Sequence, residues 1–130
     1  MRLVLSFLCL FAFSVPVALD AKEYCFENHG LKLQRRVSLT MDGNKIEGIF
    51  ESGGYEKTTS FETFDFTGTR AGQRLTIKFD GNPPYELPPG TKTIVWKLGK
   101  NALEIPMFGK NYETERSAAY TAKFERCKDN

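Results

Sequence analysis

The chain has 130 residues, with 18 Lys and Arg against 16 Asp and Glu, for a formal net charge of +2. So even a balance excludes the strongly basic face of most nucleic-acid binders, and no nucleic-acid partner is expected. Hydrophobic residues make up 41% and charged residues 26%, the composition of a folded domain rather than of a disordered segment.

Met1-Arg2 supplies one positive charge, and Leu3 to Phe13 is an almost unbroken apolar run. The run is shorter than the roughly 20 apolar residues a bilayer crossing needs. Small residues between Ser14 and Ala21 then offer a cleavage site after Ala21, or after Ala18. Residues 1–21 therefore read as a signal peptide that takes Cys9 with it, and residues 22–130 as one domain. The mature protein is expected to be secreted or periplasmic, with no stable membrane insertion.

Two cysteines remain, Cys25 and Cys127, near opposite ends of the mature chain. In an oxidising compartment they are expected to form a disulfide. The loop it closes is nearly the whole domain, for which the chain-entropy argument gives about 4–5 kcal/mol. His29, which completes a Cys25-x-x-x-His29 spacing, is the only histidine. A metal site would need two or three further ligands, so neither metal nor cofactor is expected.

From Leu31 onward apolar residues alternate with polar ones, the pattern of antiparallel strands with one buried face. Leu31, Leu33, Val37, Leu39 and Met41 share one phase, and Asp42-Gly43-Asn44 makes a hairpin turn. Lys32, Arg35 and Arg36 read as a solvated strand face. Ile46, Gly48 and Phe50 return, with Gly48 marking a bend or bulge. A strand over Thr58–Phe66 buries Phe64 and Phe66 and leaves Phe61 out of phase, at a bulge or exposed. Thr67 to Gln73 reads as a turn region.

Leu75, Ile77 and Phe79 alternate cleanly, and Asp80-Gly81-Asn82-Pro83-Pro84 ends that strand because proline cannot donate to a ladder. Ile94, Trp96 and Leu98 form the next buried face, and Gly99-Lys100-Asn101 turns the chain into Leu103 and Ile105. A long loop is expected from Pro106 to about Ser117, then a last strand carrying Ala118, Tyr120, Ala122 and Phe124. The sum is an all-β fold, a small antiparallel meander barrel of about seven or eight strands, with a sandwich as the alternative.

Catalytic motifs are missing: there is no G-x-S-x-G elbow, phosphate-cradling glycine loop or H-E-x-x-H. Glu47, Glu51, Glu56, Glu62 and Glu104 fall at polar strand phases or in loops, where solvated surface is the expected role. A non-enzymatic, protein-binding function is therefore expected, with a carrier of a small apolar ligand or a structural envelope protein as alternatives. Binding residues concentrate in loops on rigid scaffolds, and tyrosine offers broad apolar contact with one polar tip. The candidate contact residues are Ser52, Tyr55, Lys57, Tyr85, Lys110 and Tyr112, in a monomer or weak dimer.

The Tyr24-Cys25 opening, Ser52-Gly53-Gly54-Tyr55 after a strand and the near-terminal Cys127 resemble the periplasmic C-type lysozyme inhibitors. The resemblance implies a small disulfide-tied β-barrel, a loop containing Ser52 and Tyr55 that enters an enzyme cleft, and a wall hydrolase as partner. Here the motif has one residue fewer between glycine and tyrosine, the expected tryptophan-lysine-glycine stretch is missing, and the chain runs on for two or three further strands.

Overall fold

The computed structural model describes residues 21–30, 33–54, 61–111 and 114–128. The expected signal peptide, residues 1–21, falls almost wholly outside them. Eight strands follow in chain order: β1 (Lys22–His29), β2 (Leu33–Asp42), β3 (Lys45–Gly54), β4 (Glu62–Ala71), β5 (Arg74–Phe79), β6 (Ile94–Leu98), β7 (Ala102–Asn111) and β8 (Arg116–Arg126). Each pairs antiparallel with the next, and β8 pairs back to β1, so the sheet is a closed meander barrel and not a sandwich.

The period-2 pattern builds this wall directly, because alternate side chains must point inward. Val37, Leu39 and Met41 of β2, Leu75, Ile77 and Phe79 of β5, and Trp96 and Leu98 of β6 are all buried as their phase requires. Leu33 shares the phase of Val37 but sits at the barrel rim and is 46% exposed. Trp96, Phe26, Phe50 and Phe124 are the largest fully buried side chains. Ring–ring contacts such as Phe66–Trp96 at 5.0 Å and Phe66–Phe79 at 5.6 Å join them into a filled interior.

Gly48 does not interrupt the sheet; the β2–β3 and β3–β4 registers run through it unbroken, opposite Leu39 and Phe66. A Cβ there would collide with the Ser38 carbonyl oxygen and the Phe66 ring. The glycine therefore serves close approach, not a bulge. Phe61 is 43% exposed, with no bulge beside it, and its ring lies over Gly53.

Three elements differ from the sequence reading. β1 is a full strand before Leu31, with Phe26 buried and Tyr24 packed against the core. β4 continues through Ala71, so the turn is only Gly72-Gln73, Gly72 supplying a φ of 64°. β7 continues through Asn111, with Pro106 opposite Thr121. Phe108 donates its N–H to Glu86 O at 2.9 Å, away from β8. Two-residue alternation puts the Pro106 nitrogen on that same side, where β6 pairs only as far as Glu104, so its missing N–H breaks no ladder bond.

Strand closure is uneven. The β7–β8 ladder has ten residue pairs, whereas β8 meets β1 only at Phe26↔Arg126 and Glu27↔Glu125 among the described residues. The Cys25–Cys127 disulfide lies beside that short seam, with Cα atoms 5.4 Å apart, and Cys127 donates its N–H to Cys25 O at 2.9 Å.

Candidate functional site

An up-and-down barrel sends alternate connections to opposite ends. The turns at residues 43–44, 72–73 and 99–101 share one end with the entry to β1. The far ends of β1, β3, β5 and β7, and with them the 80–93 connection, lie at the other, here called the loop end. The strand ends on either side of residues 55–60 and 112–113, and the 80–93 connection, therefore share one end.

The β5–β6 connection folds across this end. Tyr85 packs its ring 5.6 Å from Phe50 and 6.0 Å from Phe79, and its hydroxyl accepts a hydrogen bond from Trp96 Nε1 at 2.9 Å. Glu86 O takes the Phe108 N–H, and the Thr91 N–H and Oγ1 both donate to Pro88 O, at 3.1 and 2.6 Å. The segment is thus a fixed lid. Burial pushes the Tyr85 phenol up to about 12, opposed by the Trp96 hydrogen bond, which favours the phenolate.

A raised folded-state pKa favours folding until the folded group itself ionises. The contribution of Tyr85 is full below about pH 10 and is lost as pH rises toward 12. Tyr85→Phe should lose about 1–3 kcal/mol at neutral pH, because Trp96 Nε1 is left buried without an acceptor. Urea unfolding at stepped pH checks both effects: the wild-type advantage should shrink above pH 10.

A second polar group enters the barrel near the β1–β8 seam. Arg35, read as part of a solvated face, instead points inward, because it shares the phase of Val37. Arg36 alone of that pair is exposed on the outer face, and Lys32 lies outside the described residues. The Arg35 guanidinium donates to Asn28 Oδ1 at 2.9 Å, approaches Met107 Sδ at 3.1 Å and lies 5.7 Å from the Phe124 ring centroid. Its Nε is buried with no hydrogen-bond partner among the described residues. Asn28 in turn donates from Nδ2 to Lys123 O at 2.9 Å, bridging the seam where the backbone ladder has stopped.

Of the candidate contact residues, Ser52 is half-buried near the end of β3, opposite Arg35 and Glu62. Lys110 is exposed on β7, opposite Ser117. Tyr85 does not stand free, being built into the lid. Tyr55, Lys57 and Tyr112 lie outside the described residues. Tyr85's inward placement in a connection had no sequence signal, and Arg35's had only strand phase.

On the outer wall, Cys25, Glu27 and Cys127 come close together, but both sulfurs are in the disulfide and offer no thiolate to a metal. Glu27 Oε2 instead lies 3.1 Å from His29 Nε2, and Oε1 accepts from Arg36 at 3.0 Å. The His29 hydrogen bond chiefly lowers the Glu27 carboxyl pKa, against partial desolvation and with help from Arg36. A groove of about 630 Å³ crosses the outer wall over Gly48, lined by Glu23, Glu47 and Asp65 among others.

No protein-family model, curated protein or solved structure matches the chain. What it can do has to be argued from the eight-stranded, disulfide-tied barrel itself.

Proposed function

We propose that this chain is an exported, non-catalytic binding protein that engages a protein partner through the loop end of its barrel. An inhibitor or immunity-type protein acting on an envelope enzyme such as a lysozyme is the reading we favour. The observation that carries it is that Tyr85 and the strand ends flanking residues 55–60 and 112–113 lie at one end, opposite an end made of tight turns. A rigid wall with its variable segments on one rim is how loop-bearing scaffolds present a contact surface.

Other features support the same reading. The disulfide suits an oxidising compartment. Small disulfide-tied barrels are also what the likeness to lysozyme inhibitors implies, although Ser52 lies half-buried within β3 and not in a loop. The interior is packed with Trp96, Phe50, Phe66, Phe79 and Phe124, which weighs against a carrier that encloses its ligand.

The test is a binding and inhibition assay against purified lysozymes and wall hydrolases. Tyr55→Ala, Lys110→Glu and Tyr112→Ala combined should leave the unfolding midpoint unchanged and weaken binding by about tenfold or more. Unchanged binding would remove the loop end from the interface. Unfolding of the variant would assign these residues to the fold.

A further inference from the structure

The β7–β8 hairpin reaches beyond the strand beside it. β8 is paired with β7 along Arg116–Glu125, but its other edge meets β1 only at Glu125 and Arg126, with Asn28 capping the Lys123 carbonyl. Among the described residues this leaves Arg116–Ala122 without a partner strand on that side. The direction of its backbone groups is fixed. The Arg126 N–H donates toward β7, to Asn101 O at 3.3 Å, whereas the Lys123 carbonyl and Cys127 N–H face β1. By alternation, the N–H and C=O groups of Ser117, Ala119 and Thr121 point out of the open edge.

An open edge is a template for another strand, and this one fits itself. We infer that a second copy of this chain pairs along β8, antiparallel, about a two-fold axis through Ala119. Ala119 is the midpoint of the open stretch, so this register alone uses all of it. It places Ala119 opposite Ala119, Ser117 opposite Thr121, Ala118 opposite Tyr120 and Arg116 opposite Ala122. Immediately beyond the ladder, Lys123 comes near the turn residue Glu115 of the second copy, at both ends, a favourable pair of charges. Shifting the axis by one side-chain repeat to Tyr120 would instead set Ser117 against Lys123, whose carbonyl Asn28 already takes. Tyr120 is 46% exposed in the single chain, and pairing covers it. A two-fold contact of this kind is self-limiting, because each copy spends the open stretch of β8 on the other.

The inference is independent of the binding reading and is tested without any partner. With Cys25–Cys127 intact, Ala119→Cys should give a covalent dimer under mild oxidation, since facing Cα atoms in a hydrogen-bonded pair lie about 5.5 Å apart. Ser117→Cys and Thr121→Cys, each facing a non-cysteine residue, should not. Sedimentation equilibrium of the wild type should show the average mass rising about twofold with concentration. Ala119→Pro removes an outward N–H and no β7 bond, and Ala119→Lys sets two ammonium groups together on the axis; both should remain monomeric while folded. A wild type that stays monomeric at all concentrations, with no Ala119→Cys dimer, overturns the proposal. Cross-linking through Ser117→Cys instead overturns the register.

Discussion

Replacing Cys25 and Cys127 by serine should lower the unfolding free energy by about 2–5 kcal/mol, the largest loss expected from any change outside the core. Two features of the barrel place the effect this high. The bridge spans a sequence separation of 102 residues, so its removal releases much conformational freedom in the unfolded chain. It also lies beside the ladder that closes the barrel on itself, which among the described residues has two pairs, between β1 and β8. Urea unfolding of oxidised and serine forms measures the loss. The denaturant slope should rise in the serine form, because its unfolded chain is more expanded. A loss too small to detect would mean that Asn28 and the Phe26 and Phe124 packing hold the seam unaided.

Trp96→Ala should cost about 3–5 kcal/mol, the range for truncating a buried aromatic. Trp96 is 0% exposed, contacts Phe66 at 5.0 Å and Phe79 at 6.1 Å, and donates to Tyr85. Its loss opens a cavity on the barrel axis and deprives the lid tyrosine of its donor, so the 80–93 connection should become susceptible to proteolysis at denaturant levels where the wild type resists. Trp96→Phe should restore most of the packing but not the hydrogen bond. Circular dichroism is the suitable probe, since Trp96 is the only tryptophan in the chain.

How far the sequence carries is clear from particular strands. β5 and β6 were legible because every inward position is apolar and every break is glycine or proline. β1 was not legible, because its inward positions are Tyr24, Phe26 and Asn28, and the asparagine ends the pattern after two residues. The second half of β4 was hidden for a similar reason: Gly68 and Arg70 point inward, Gly68 because a Cβ would strike the Thr76 carbonyl and Arg70 because it reaches Gly72 O and Met41 Sδ. Pro106 looked like a strand end because the rule against proline in ladders holds only where the nitrogen faces a partner. The disulfide followed from compartment and count alone. That β3, β5 and β7 end on the same side was implicit in the strand count, because a meander returns to the same side every second strand.

Roles for single side chains were less legible. Tyr85 and Arg35 both carry polar groups into the barrel, and only the structure pairs them with Trp96 and Asn28. Their chemical character suits a surface contact equally well, so composition could not separate a lid from a binding residue.

The most direct test of the binding account is affinity capture from envelope extract, comparing the wild type with the combined Tyr55, Lys110 and Tyr112 variant. The account predicts a stoichiometric protein partner, a wall hydrolase for preference, that the wild type retains and the folded variant loses. Equal capture by both forms, or a co-purifying apolar small molecule with no protein partner, would contradict it.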